Sequence, residues 1–386
     1  MKTIQLKSGK EKSLQRRHPW VFSGALNLTE ELEDGELVRV TTKKGKFLGI
    51  GHFQNASIAV RIISFEDQPI DHEFWVNALH KANDTRKRLN LPDEQTNIYR
   101  LVHGEGDNLT GLVIDVYADT AVIQPHSQGM YLQAKEIAEA LKKVLGGQLR
   151  NIILKHPNSV TNTDAEVLLG DSQQIYAAQE WGLTFKLDLL NGQKTGFFVD
   201  QRENRHRLGK YSKGKKVLNT FCYNGGFSLC ALREGAEKVV SIDVSSSAIE
   251  QTKANLEVNG FSADKHPCLA VDTFKYLETN EEDFDVIVLD PPAFAKHLSA
   301  RHNALKGYTR LNALALKQIK PGGILFTFSC SQVVDKTLFY NAIVAAAIQA
   351  GRSVKVLERL SQPGDHPVSI FHPEGEYLKG LILEVL

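Results

Sequence analysis

A cysteine set between two serines, Phe328-Ser329-Cys330-Ser331, follows an apolar run that reads as a strand. A thiolate is both a strong nucleophile and a reversible leaving group, so a cysteine placed at a strand end can carry a covalent step. Free cysteines are more often small buried hydrophobes. Position favours chemistry for Cys330, which stands just past the apolar run. Cys222 is its rival at another strand end, but it sits inside a Gly-containing turn. Cys230 and Cys268 read as structural, on a helix face and in a strand. The second chemical feature is Asp290-Pro291-Pro292-Ala293-Phe294. Adjacent prolines are poor in a sheet interior and fix a stiff, extended turn. Such a turn can hold Asp290 and its neighbouring carbonyls against a planar base. Asp-Pro also starts ordinary turns, and the position of this one at the end of a fourth strand is what favours a functional role.

Three further strand ends come first. Asn219 to Phe227 forms a turn containing Phe221, Cys222, Tyr223, Gly225 and Gly226. Glycine there lets the backbone approach a ligand closely. The turn lacks G-x-G-x-x-G spacing, which disfavours a dinucleotide. Asp243 closes the second strand, where a carboxylate can accept both ribose hydroxyls of an adenosine cofactor. Asp272 closes the third, where its carboxylate or backbone neighbours can meet an adenine edge. Taken singly, either Asp is better read as a helix N-cap. Two acidic strand ends in order after a Gly-turn point instead to S-adenosylmethionine.

The elements that must position these residues are legible in the periodicity. From about residue 183 onward, apolar runs such as KVVSID, FDVIVLD and GGILFTFS alternate with helical segments such as SSAIEQTKANLEVNG and LFYNAIVAAAIQAG. That is an α/β pattern: a mostly parallel, doubly wound sheet whose ligands lie beyond the carboxyl ends of its strands. Residues 36–63 instead alternate apolar and polar residues between turns, as short antiparallel strands of a small barrel. A helix over 71–88 leads out of it. Residues 97–181 mix strands with one amphipathic helix, a small α+β module whose loop residues His103, Glu105 and Asp107 suit turn and capping roles as well as function. The expected boundaries are 1–72, 73–182 and 183–386.

Composition excludes other classes. The chain has 386 residues, 42% hydrophobic and 24% charged, with net charge +1, so it is neither disordered nor fibrous. No run reaches the ~18–20 apolar residues of a membrane span. The amino terminus has the charges of a signal peptide without its apolar region, making the cytoplasm the expected compartment. Four scattered cysteines, with no Cys/His cluster at zinc spacing, imply neither a disulfide framework nor a metal. Residues 1–20 carry six basic residues against Glu11 alone, a phosphate-contact candidate beside a suitable fold and otherwise a solvated edge.

Taken together, Phe221-x-x-x-Gly225-Gly226, Asp243, Asp272, Asp290-Pro291-Pro292 and Ser329-Cys330-Ser331 resemble the class I S-adenosylmethionine-dependent methyltransferases. More narrowly, the chain resembles the bacterial 23S ribosomal RNA cytosine-C5 methyltransferases. Arg17-His18-Pro19-Trp20-Val21-Phe22, Arg100-Leu101-Val102-His103-Gly104-Glu105-Gly106-Asp107 and the segment from Gly192 to Arg202 carry the likeness across essentially the whole chain. The resemblance implies an N-terminal PUA domain, a central α+β domain and a C-terminal Rossmann-like catalytic domain. It also implies a cofactor role for Lys194, Gln201 and Arg202, and ribosomal RNA as partner, with no membrane and no metal and with a homodimer left open.

Carbon 5 of cytosine is too weak a nucleophile to take a methyl group unaided. The resemblance implies that Cys330 adds to C6, turning the ring into an enamine, while Asp290 meets N3. No second cysteine follows Pro292, so the group that takes the C5 proton is unassigned. Pro291, Pro292 and Phe294 are expected at the target base, with Phe294 or Tyr223 stacking on it or simply packing beneath the loop. Arg16, Arg17 and Trp20 are expected to contact RNA. Two other readings stay open: methylation of an exocyclic or ring nitrogen of an RNA base, and a non-catalytic RNA-binding factor. Calorimetry with S-adenosylmethionine separates the last from the others. Binding is expected, and its absence would favour the non-catalytic class.

Overall fold

The computed structural model describes residues 1–27, 31–156 and 165–386. Two compact units divide the chain: Met1–Gln179, Leu187–Val199 and Gly364–Gly375 form the first, and Glu180–Lys186, Asp200–Pro363 and Glu376–Leu386 the second.

The first unit contains two sheets. One has six strands around a core of Ile4, Leu6, Val38, Val40, Val60 and Ile62. Its first strand, Lys2–Leu6, pairs parallel with Leu37–Thr41, so the sheet is mixed rather than wholly antiparallel and the basic N-terminal stretch is built into it. Lys2 is thereby spent on Glu36 (3.1 Å). The other sheet has five strands between Ile98–His103 and Ala165–Leu169, with helices His72–Arg88 and Ala134–Leu145 contributing to its core. Two buried arginines set the loop beside it. Arg86 pairs with Asp107 (Nη2–Oδ2 2.8 Å), and Arg100 pairs with Asp115 through both carboxylate oxygens (2.8 Å each). Gly106 must be glycine, because a Cβ there would stand 1.9 Å from the Pro367 carbonyl oxygen.

The second unit is the doubly wound sheet. Its strands are β1 (Lys216–Thr220), β2 (Lys238–Asp243), β3 (Cys268–Ala270), β4 (Phe284–Leu289), β5 (Ile319–Ser329), β6 (Val354–Leu360) and β7 (Lys379–Val385). Their spatial order is β3-β2-β1-β4-β5-β7-β6, parallel except for β7, which runs antiparallel to both neighbours. The helices are α1 (Arg202–Gly209), α2 (Gly226–Arg233), α3 (Ser246–Val258), α4 (Thr273–Thr279), α5 (Arg301–Gln318) and α6 (Lys336–Ala350). Ile287, Leu289, Leu325, Tyr308, Leu311 and Phe339 share one core, each at most 2% exposed. Their burial explains why β4 and β5 read as unbroken apolar runs: helices cover a parallel sheet. A register pairing Leu289 with Thr327 brings the ends of β4 and β5 side by side.

His52, in the strand Phe47–Phe53, is 2% exposed, with no hydrogen-bond partner for either ring nitrogen among the described residues. Burial pushes its imidazole down to about 4, whereas an unfolded His titrates near 6.5. Between these values the unfolded chain binds a proton that the folded chain refuses. Stability present above about pH 6.5 is therefore lost as pH falls toward 4, by roughly 3 kcal/mol from this group. His52→Leu should make the acid limb of Tm against pH visibly shallower. An unchanged slope would place the acid sensitivity elsewhere.

Candidate active site

The turn after β1 is strained and well tied. Phe221 (φ 53°), Tyr223 (φ 49°) and Gly225 (φ 82°) are all left-handed, a conformation that costs non-glycine residues about 1–2 kcal/mol each. Five hydrogen bonds hold it. Cys222 N donates to Ile242 O (3.0 Å), Gly225 N to Cys222 O (2.8 Å) and Tyr223 N to Asp243 Oδ2 (3.0 Å). Thr252 Oγ1 donates to Tyr223 O (2.8 Å) and Asn255 Nδ2 to Asn224 O (3.0 Å). The glycines answer inward packing as well as ligand approach. A Cβ on Gly225 would lie 2.8 Å from Thr252, and one on Gly226 would lie 2.7 Å from Arg205, which is itself locked to buried Glu180 (2.7 and 2.6 Å).

Asp243 is half-buried at the end of β2. Its Oδ2 accepts from Tyr223 N and its Oδ1 from Ser245 N (2.9 Å). Each carboxylate oxygen keeps a second acceptor site, so the group is oriented by backbone and can still take a ribose diol. This donor set fits an adenosine cofactor. Asp272 is exposed and caps α4, accepting from Lys275 N (3.0 Å). The capping role is therefore the one its carboxylate fills here.

Asp290, just past β4, accepts from Gln201 Nε2 (3.0 Å), and Gln201 Oε1 accepts from Asn204 Nδ2 (2.6 Å), an amide chain that orients the carboxylate. Pro291 is buried and Pro292 exposed. Across the turn, Cys330 Sγ lies 4.0 Å from the Pro291 carbonyl oxygen, so the cysteine and the Asp-Pro-Pro turn do meet. Both flanking serines point inward: Ser329 Oγ donates to Tyr308 Oη (2.9 Å) and Ser331 Oγ to Ala295 O (2.6 Å). Cys330 itself is half-buried. The other thiols suit chemistry less. Burial pushes Cys230 up to about 12, and raises Cys222 and Cys268 as well.

Phe294, half-buried, packs against Tyr308 (ring centroids 4.6 Å apart). Arg202 is buried, with Nε 3.4 Å from Glu203 Oε1. Lys194 belongs to the first unit, exposed and left-handed, its Nζ 4.6 Å from the Phe198 ring centre. Arg16 and Arg17 are exposed. Trp20 is an anchor: its Nε1 donates to Glu105 (2.9 Å) and its ring meets the His372 ring edge-on (4.4 Å). His372, His18 and Glu374 bring three potential metal ligands within 4.8 Å of one another. Sequence could not reveal a group whose members lie so far apart in the chain. Trp20 N donates to His18 Nδ1 (3.2 Å), which leaves the Nε2 proton facing Glu374 (3.5 Å). A groove of about 570 Å³ between α5 and α6 is lined by helix residues alone, not by the strand ends.

Residues 107–381 match the S-adenosylmethionine-dependent methyltransferase family, and residues 4–65 match the PUA-like domain family. The chain is 38% identical to the ribosomal RNA large subunit methyltransferase I of Aeromonas hydrophila, across 99% of this chain and 98% of that one. It is 39% identical to the protein of the same name from Shewanella amazonensis, across 99% of each. The fold is that of a methyltransferase solved in complex with SAH, with a TM-score of 0.87 and 23% identity over the whole of both chains.

Asp243→Ala removes the acceptor for Tyr223 N together with the one offered to a diol. Hydrogen bonds to a charged group contribute about 1.5–3 kcal/mol each, so S-adenosylmethionine affinity should fall by at least about tenfold by calorimetry. Unchanged affinity in the folded variant would move the cofactor away from β2.

Proposed function

The chain belongs to the S-adenosylmethionine-dependent methyltransferases, in the family of the ribosomal RNA large subunit methyltransferases I, and on that premise we propose that it methylates carbon 5 of a cytosine in large-subunit ribosomal RNA through a covalent adduct with Cys330. The observation that carries this reading is the half-buried Cys330 sulfur 4.0 Å from the Pro291 carbonyl, beside Asp290. Methylation at a base nitrogen uses a lone pair already present and gives no work to a thiol there. Methylation at C5 needs one.

S-adenosylmethionine, when bound, supplies an electrophilic methyl group. The rest falls to the chain. Asp243 holds the ribose, and the strained turn from Phe221 to Gly226 forms the floor of the cofactor site. The target cytosine has to leave its stack to reach a pocket at the strand ends, and the stiff Pro291-Pro292 turn gives its ring a rigid edge. The Cys330 thiolate forms a bond to C6, and electron density moves toward C5 and N3. Asp290, held by Gln201, faces N3 and shares a proton with it as charge develops there. After C5 has gained its methyl, its proton leaves to solvent and the C6–S bond breaks, returning the thiolate. The PUA-like barrel, with Arg16 and Arg17 exposed, offers phosphate contacts that position RNA without reading its sequence.

Ribosomal RNA carrying 5-fluorocytosine blocks the last step, because the C5 substituent cannot leave as a proton. The wild-type chain should then form a denaturation-resistant adduct, and Cys330→Ala should form none. Cys330→Ala should also lose about 10³-fold or more in methyl transfer on ordinary RNA. Full activity of that variant would overturn the covalent reading and favour a nitrogen target.

A further inference from the structure

Lys379 is a buried cation that the mechanism above leaves idle. It opens β7 and is the register partner of Ser329 on β5, one residue before Cys330. The residue is 5% exposed. Its Nζ donates to the carbonyl oxygens of Ser331 and Tyr377, both at 2.7 Å. Those two bonds satisfy two of three N–H groups and cancel no charge. Among the described residues no carboxylate lies within ion-pair distance of it. Burial pushes the ammonium down to about 8, while Cys330, Asp335 and Glu376 favour its charge and Lys336 opposes it. The two carboxylates have other work: Asp335 caps α6 through Leu338 N (2.8 Å), and Glu376 pairs with Lys336 (2.5 Å). Tyr308, which accepts from Ser329, feels both Cys330 and Asp290, and burial pushes its phenol up to about 12 and keeps it neutral. The third group that favours its charge is the anion Cys330 becomes.

We propose that Lys379 is a positioning residue for Cys330, fixing the Ser329-Cys330-Ser331 turn through the Ser331 carbonyl and holding the thiolate electrostatically. A buried cation without a counter-ion is expensive, and a site that makes an anion only during turnover explains keeping one. The same charge favours the thiolate as it forms and again as it is expelled from C6. The catalytic consequence rests on Cys330 being the nucleophile; the coupling between the two side chains does not.

The test follows iodoacetamide alkylation against pH at the Cys330 peptide by mass spectrometry, which leaves the other three cysteines out of the readout. Lys379→Gln keeps a donor and removes the charge. Its alkylation midpoint should rise by about one pH unit or more, slowing reaction near neutrality about tenfold, and Lys379→Arg should restore it to within about threefold. Coupling is reciprocal, so in chain labelled with 13C-lysine the Lys379 resonance should titrate lower in Cys330→Ser than in wild type, a measurement independent of how well the Gln variant folds. A folded Lys379→Gln with an unmoved midpoint, or identical Lys379 titrations with and without the thiol, would overturn the proposal. Methyl transfer by Cys330→Ala with the coupling intact would instead remove the nucleophile reading and leave the coupling standing.

Discussion

Everything at the site depends on two parallel strands ending side by side. β4 and β5 are hydrogen-bonded in a register that sets Leu289, the last residue of β4, opposite Thr327, with β5 running on to Ser329. The Asp-Pro-Pro turn caps one end and the Ser-Cys-Ser turn caps the other. Both turns are tied into the core. Pro291 is buried, and both serines spend their hydroxyls inward, on Tyr308 and the Ala295 carbonyl. Those anchors fix the backbone on either side of Cys330. On the proposed reading, a preorganised pair of this kind spares the reaction the cost of gathering its groups.

The sheet itself was legible because its burial is written as composition. Runs such as 284–289 and 322–329 are apolar on both faces, and only a strand covered by helices tolerates that. Strand ends followed as the places where such runs stop, which located Asp243, Asp290 and Cys330. Partners were not legible, since hydrogen bonds across the fold leave no periodic trace. Gln201 meets Asp290 from 89 residues away, and Lys379 meets Ser331 from 48. Asp272 shows the limit from the other direction: an acidic strand end and a helix N-cap look alike in sequence, and the structure uses it as the cap.

Aromatic residues are ambiguous in sequence for a related reason. A ring near a functional loop suits stacking on a base and packing equally well. Phe294 lies on Tyr308, and Trp20 has its indole N–H committed to Glu105. The N-terminal basic stretch differs in another way. Its first strand pairs with one more than thirty residues later, so what reads as a charged arm is an interior member of a curved sheet. Charge counted along the chain cannot see that Lys2 has already met Glu36.

The path of the chain between the units bears on how such a protein can change over evolution. The backbone passes from one unit to the other five times, at 179/180, 186/187, 199/200, 363/364 and 375/376. Gly364–Gly375 supplies Asp365, whose carboxylate accepts from Arg100 N (3.0 Å) and whose carbonyl accepts from Arg86 (2.7 Å). No single recombination breakpoint can therefore separate one intact unit from the other. Swapping either as a cassette would strand part of one core in the other's coding segment, so diversification of this architecture has to proceed by point change within an indivisible gene.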